Sequence, residues 1–271
     1  MPFDLDAWID DLLASRKYRQ LNLPRETIRD LLEQELAHHN STRAALKAVR
    51  EKLHQIVAPY LGDPDYVAAS LKLDAAFRSG DPLIIKNVCM EIMQQHASTR
   101  ERIPHLAEFY KAIFAVTGKP QIIIDLACGL NPLSFPWMDL STDTQYHAWD
   151  LHQPRVTLIN TYFRLQGLPE LAFQGDILVN PPKIQTDVTF FFKEAHRFDQ
   201  RRRGCNRNFW QAIHTHWLIV TLPSRNLTGH HSLIDQHRRL VMEAIQNFPW
   251  QMKELEIGGE LIFCLEKPNP G

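Results

Sequence analysis

Three aspartates and a glycine carry the sharpest chemistry in this sequence. The segment Asp125-Leu126-Ala127-Cys128-Gly129-Leu130-Asn131-Pro132 follows the apolar run QIIIDLA (121–127). That is where an open α/β sheet places its ligand crevice. Gly129 lets backbone approach a ligand, and the Asp125 carboxylate can accept hydrogen bonds from a cationic or amide donor. Neither GxGxxG nor GxxxxGK[ST] is present, so dinucleotide and phosphate-cradling loops are not indicated. Alone, the segment reads equally well as a tight strand–helix turn. Asp150 changes that balance, because it ends the second strand-like run, where nucleoside-binding folds place a carboxylate against the ribose hydroxyls. Asp176 ends the third run, suitably placed for the exocyclic amine of an adenine. Carboxylates at three consecutive strand ends suit an adenosine without phosphates, which is what S-adenosylmethionine presents.

These residues need a sheet to hold them. After Gly118-Lys119-Pro120 the strand-like runs are QIIIDLA, YHAWDL (146–151), LAFQGD (171–176), VTFFF (188–192), WLIVTLP (217–223) and ELIFCLE (260–266), alternating with helical stretches. Such alternation predicts a doubly wound α/β fold: a Rossmann-like, seven-stranded, mostly parallel sheet. QMKELEI (251–257) and ELIFCLE are separated only by Gly258-Gly259, so the sheet is expected to end in an antiparallel pair. The first 117 residues instead repeat apolar positions every three or four residues and predict a small helical bundle. Pro24 fits a helix start for 25–38, and Asn40-Ser41-Thr42 offers caps for the next helix. Breaks fall at Pro59, at Gly62-Asp63-Pro64 and at Ser79-Gly80-Asp81-Pro82. The expected division is a helical domain over 1–82, linking helices over 83–118 that contribute to the cofactor site, and a catalytic domain over 119–271.

Composition sets the class. Hydrophobic residues make up 44% and charged residues 23% of 271, the balance of a soluble globular protein. No apolar run nears the ~20 residues that cross a bilayer, and the N-terminus is acidic where a secretory signal is basic. A cytoplasmic protein with no membrane partner is expected. The four cysteines form no CxxC pair, and the histidines lack supporting ligands at useful spacing, so no metal is expected. Net charge is −1, yet Lys193, Arg197, Arg201, Arg202, Arg203 and Arg207 cluster in one run. A solvated helix end explains such a run unless the active site lies beside it. Asn180-Pro181-Pro182-Lys183 resembles the NPPY motif of amino-methylating enzymes, but it precedes VTFFF and reads as a turn.

The stretches LLASRKYRQL (12–21), HASTRERIPHLAEFY (96–110), DLACGLNPLS (125–134), DLHQ (150–153), GDIL (175–178), LPSRNL (222–227) and GGELIFCLEK (258–267) resemble the aminoglycoside-resistance 16S rRNA guanine-N7 methyltransferases, the ArmA, RmtB and Sgm group. The resemblance spans nearly the whole chain. It implies that Arg102 grips the carboxylate of the methionine moiety, for which a guanidinium fork is suited. It implies further that Asp125, Ala127 and Gly129 face the cofactor, that Asp150 and Leu151 hold the ribose, and that Asp176, Ile177 and Leu178 hold the adenine. The helical region would dock on ribosomal RNA in the 30S subunit, making Arg16, Lys17 and Arg19 phosphate contacts, with Arg201, Arg202 and Arg203 as further candidates. Lys193 and Arg225 would work on the target side, and the enzyme would act as a monomer.

Two segments depart from the family. Lys193 is followed by EAHRFD rather than an apolar Leu-Pro stretch, and LPSRNLTGHH puts His230 or His231 where the family has an arginine. Both segments lie toward the target base, so a different RNA position, or a small-molecule substrate without resistance activity, is the alternative. A flipped base needs an apolar platform; Phe135, Trp137 and Trp210 are candidates, although aromatic residues more often pack in cores.

Overall fold

The computed structural model describes residues 4–19, 21–57, 63–226 and 231–268. The breaks expected at Pro59 and Gly62, and the candidate His230, lie outside those residues. Seven strands form one sheet in the order β3-β2-β1-β4-β5-β7-β6: β1 (Ile122–Leu126), β2 (Gln145–Asp150), β3 (Ala172–Gln174), β4 (Thr186–Phe192), β5 (Thr215–Pro223), β6 (Gln251–Ile257) and β7 (Glu260–Glu266). All pairings are parallel except those of β7, which lies antiparallel between β5 and β6. The β6–β7 hairpin turns through Gly258 (φ 57°) and Gly259 (φ 79°), a pair of left-handed residues that suits the twist of a two-residue hairpin. Fold class and hairpin are as the sequence predicts.

Both faces of the sheet are covered, which is why its central strands read as unbroken apolar runs. Successive side chains alternate between faces. Ile123, Phe190, Phe192, Ile219 and Ile262 pack into one core with α5 (Pro82–Gln94), α7 (Leu106–Thr117) and α8 (Gln153–Gln166), the short α6 (Ala97–Arg100) lying between α5 and α7 in the chain. Ile124, Phe191, Leu218 and Phe263 pack into another with α9 (Ala195–Arg201), α10 (Cys205–Ala212) and α11 (Ile234–Ile245). Phe135 and Trp210 are buried in these cores, which removes them as platforms for a base, and Trp137 is partly buried against the first.

The N-terminal helices divide unevenly. α1 (Leu5–Ala14), α2 (Arg25–His38) and α3 (Thr42–Val57) share a core of their own, including Ile9, Ile28, Leu32, Val49 and Leu53. The bounds of α2 match the expected 25–38, and the Ser41 hydroxyl caps α3 by accepting from the Ala44 N–H. Ala69 and Leu73 of α4 (Tyr66–Ser79), however, belong to the sheet's first core. Helix α4 therefore packs with the sheet although it lies within the expected 1–82 segment. Helix α4 packs against both α5 and α8, and no local periodicity distinguishes that from packing on α3.

Candidate active site

Strand β1 delivers its C-terminal end into a sharp turn in which Ala127 (φ 51°) and Gly129 (φ 55°) are both left-handed. A Cβ on Gly129 would sit 2.9 Å from Nε2 of His96, so only glycine fits there. The turn and the loops after β2, β3, β4 and β5 enclose a cleft of about 850 Å³. Ala127, Gly129, Asp150, Leu151, Asp176 and Ile177 line it, as do Arg102, Lys193 and Arg225. Most of the expected set therefore meets in one place.

Asp150 closes β2 with its carboxylate directed at backbone: Oδ2 accepts from the Gly129 N–H (3.0 Å) and Oδ1 from the His152 N–H (2.9 Å). Arg155 adds an ion pair at 2.8 Å, and both side chains are buried. Asp176 does not end β3, which stops at Gln174. It instead starts a turn, with Oδ1 accepting from the Leu178 N–H and its carbonyl accepting from the Asn180 N–H. An aspartate can trade ladder bonds for such local ones, which shortens the strand relative to the apolar pattern. Leu178 is buried but lies outside the lining, contributing that N–H rather than a wall.

Arg102 lies at the other end of the cleft, 4% exposed, with its guanidinium over the rings of Phe109 (4.4 Å) and Phe192 (4.6 Å). Nε and Nη2 donate to the two oxygens of Glu260, and Nη1 donates to Asn131 Oδ1. Among the described residues three of its five N–H groups are so engaged, which leaves two for a ligand. Burial raises the Glu260 carboxyl, but Arg102 and Lys193 outweigh it and hold the group below its ordinary range. Lys193, itself left-handed (φ 59°), bridges Glu101 (2.6 Å) and Glu260 (3.3 Å).

Asp125 is outside the lining. Its Oδ2 accepts from Asn131 Nδ2 and the Tyr146 hydroxyl, both at 2.8 Å, so it reaches Arg102 through Asn131. Burial pushes its carboxyl from 3.8 up to about 7. Because the folded value is the higher one, stability is fully present below pH ~4 and is lost as pH rises toward 7. At about 1.4 kcal/mol per unit, Asp125→Asn should gain about 2–3 kcal/mol over the parent chain between pH 5 and pH 8. Urea unfolding at the two pH values measures this; an equal difference at both would contradict it.

Not every expected contact is offered to RNA. Arg201 is buried in ion pairs with Asp176 (2.7 Å) and with Asp30 of α2 (2.9 Å), which corrects its assignment as a phosphate contact. Arg202 also pairs with Asp30 but is half-exposed, and Arg203 is exposed. Arg16, Lys17 and Arg19 are exposed just after α1. Lys17 and Tyr18 border a second groove of about 480 Å³ with Lys47, Arg50 and His54 of α3. Those last three recur at i, i+3 and i+7, a helix-face spacing visible in the sequence but overlooked. Asn131 and Glu260 were also overlooked, although both lie inside the family-like stretches. Among the described residues no cluster of three His, Cys, Asp or Glu side chains could hold a metal, and no helix is long and apolar enough to cross a membrane.

The sequence model for the ribosomal RNA methyltransferase (FmrO) family matches residues 14–264. The 16S rRNA (guanine(1405)-N(7))-methyltransferase of Micromonospora echinospora is 33% identical, with 94% of each chain covered. The enzyme of the same name from Serratia marcescens is 28% identical over 96% of this chain and 97% of its own. Among solved structures, the 16S rRNA methylase RmtB superposes with a TM-score of 0.78 at 25% identity, covering 99% of this chain and 100% of its own. The 16S rRNA methyltransferase RmtF, in complex with S-adenosyl-L-homocysteine, gives 0.77 at 26%, with 99% and 100% covered. These matches run through the helices as well as the sheet, and they extend over the segments that build the cleft, with Arg102, the glycine turn, Asp150 and Asp176. This chain belongs to the ribosomal RNA methyltransferase (FmrO) family.

Proposed function

We propose that this chain transfers a methyl group from S-adenosylmethionine to N7 of guanine 1405 of 16S rRNA, in decoding-site helix 44 of the 30S subunit, and so confers aminoglycoside resistance. One observation carries the reading: two buried carboxylates, Asp150 and Asp176, and an arginine with spare donors, Arg102, border a single cleft in a chain whose relatives bear that activity in their names. The donor set fits the cofactor. Asp150 takes the ribose hydroxyls, Asp176 with the backbone around Ile177 and Leu178 takes the adenine, and Arg102 takes the amino-acid carboxylate. Ala127, Gly129 and Leu151 leave room for the adenosine, and Asp125 supports from behind through Asn131.

S-adenosylmethionine supplies an already activated sulfonium methyl. Guanine N7 carries an available lone pair, so no proton has to be removed. The chain's task is then to hold and align the two partners, which can supply ~7–11 kcal/mol of barrier reduction. Lys193, fixed between Glu101 and Glu260 at the cleft, and Arg225, exposed on its rim, hold the target nucleotide. Helices α1–α3, with Arg16, Lys17 and Arg19 beside the Lys47–Arg50–His54 groove, dock on the RNA phosphates, and Arg202 and Arg203 extend that surface. A single chain performs the reaction in the cytoplasm.

The test is methyl transfer from radiolabelled S-adenosylmethionine to purified 30S subunits, with mapping of the modified base. No transfer, despite measurable cofactor binding, would favour a second reading in which the same scaffold serves another substrate. Glu194, His196 and His237 line the cleft beside Lys193, and the polar segment that contains the first two departs from the family's apolar one. Arg225→Ala should lower kcat/KM for the 30S subunit roughly tenfold, equivalent to about 1.4 kcal/mol. Affinity for S-adenosylhomocysteine should not change; a parallel loss there would remove Arg225 from the target side.

A further inference from the structure

Each carboxylate of the nucleoside end of the cleft is held from behind by one buried arginine, and each arginine is held in turn by an aspartate that precedes the catalytic sheet in the chain. Arg155 bridges Asp150 (2.8 Å) and Asp63 (2.5 Å). Asp63 also binds Nδ1 of His96 (2.9 Å), the ring that packs against Gly129. Arg201 bridges Asp176 (2.7 Å) and Asp30 of α2 (2.9 Å). The second relay is part of a longer seam. Lys52 of α3 donates to the Arg201 carbonyl at 3.3 Å, Arg197 donates to the Gln55 carbonyl at 3.3 Å, and Arg202 pairs with Asp30 at 2.5 Å. Helix α9 is therefore fixed to α2 and α3 on one side and forms the Asp176 side of the cleft on the other.

We propose that Asp30 is a positioning residue for the cofactor, acting through Arg201 on Asp176, and that this relay couples docking of α1–α3 on RNA to cofactor binding. The docking half rests on the function proposed above. Arg201 presents a rigid fork, so the place of Asp30 fixes the angle at which the guanidinium meets Asp176. A shift of α2 against the sheet moves that fork, and the low exposure of Arg201 (6%) and Asp176 (2%) keeps water from substituting for it. Ligands that favour one arrangement of a shared element raise each other's affinity by the same factor. Substrate docking should thus tighten cofactor binding, and cofactor should tighten docking equally. Asp30 is the informative end of the relay, because its side chain is 16% exposed and its loss leaves Arg201 with Asp176.

The experiment is calorimetric titration of the intact protein with S-adenosylhomocysteine, alone and on saturating 30S subunits, for the parent chain, Asp30→Asn, Asp30→Glu and Asp6→Asn. Asp6 pairs with Arg25 and Arg29 of α2 at an exposed position and controls for general loosening of that helix. Asp30→Asn should weaken the free protein's affinity about 5–20-fold and abolish the tightening on 30S subunits, within the usual span of coupling factors. Asp30→Glu should restore part of both, and Asp6→Asn should match the parent. Unchanged affinity in Asp30→Asn, or an equal loss in Asp6→Asn, overturns the relay. Weaker binding with undiminished tightening overturns the coupling. A parent chain that binds S-adenosylhomocysteine but never the 30S subunit fails the functional reading instead, and the free-protein titrations still decide the role of Asp30.

Discussion

Arg102→Ala is expected to weaken S-adenosylmethionine binding at least ~100-fold. Hydrogen bonds to charged groups contribute about 1.5–3 kcal/mol each, and the two N–H groups left over by Glu260 and Asn131 would be lost together. Every 1.4 kcal/mol is about tenfold, so two such bonds place the effect between about 100-fold and beyond 1,000-fold. The substitution also strips Glu260 of its main partner while Lys193 remains 3.3 Å away. Breaking a buried pair from one side costs about 3–5 kcal/mol of stability, which could imitate a binding defect. The double variant Arg102→Met with Glu260→Gln removes that ambiguity, since neither charge is then left buried. It should regain most of the thermal stability without regaining affinity. Arg102→Lys should fail as well, because a point charge cannot span both Glu260 oxygens and still reach a ligand carboxylate. Calorimetric titration with S-adenosylhomocysteine beside thermal unfolding separates the outcomes, and recovered binding in the double variant would falsify the assignment.

Local pattern announced the parts of this molecule that local physics determines. The bounds of α2, β6 and β7 follow from a proline start, alternating residues and a two-glycine turn, each readable within ten residues. Asp150 could be placed because a strand end is a local event. Asp176 was nearly placed, and missed the strand only because its own side chain offers the backbone a competing turn. What could not be read is who pairs with whom across the chain. Glu260 meets Arg102 from 158 residues away, and nothing near either residue names the other. Arg201 looked like one more cation in a basic run, yet two aspartates 171 and 25 residues distant bury it. Trp210 looked like a candidate platform and is fully enclosed by the sheet's second core. The role proposed for Arg102 comes from the resemblance, because residue type alone does not name it.

Asp150→Asn is expected to be nearly as damaging as Asp150→Ala, although it preserves shape. Three donors converge on this carboxylate: the Gly129 N–H and Arg155 Nη1 on Oδ2, and the His152 N–H on Oδ1. An amide must turn its own NH2 toward one side or the other. It then faces either the glycine turn and Arg155 or the start of α8, and in both orientations donor opposes donor. A buried donor without an acceptor costs about 1–3 kcal/mol, and Arg155 loses a carboxylate partner while keeping Asp63 at 2.5 Å. The Gly129 turn cannot relax to compensate, because His96 packs against it while Asp63 holds the other side of that ring. On the proposed placement of the cofactor, the ribose hydroxyls then lose an acceptor and the backbone that borders them moves together. The combined effect on S-adenosylhomocysteine affinity should reach about 100-fold in either variant, at roughly 1.4 kcal/mol for each factor of ten. Asn binding within a few fold of the parent, with Ala far weaker, would mean that shape and not charge is what Asp150 contributes.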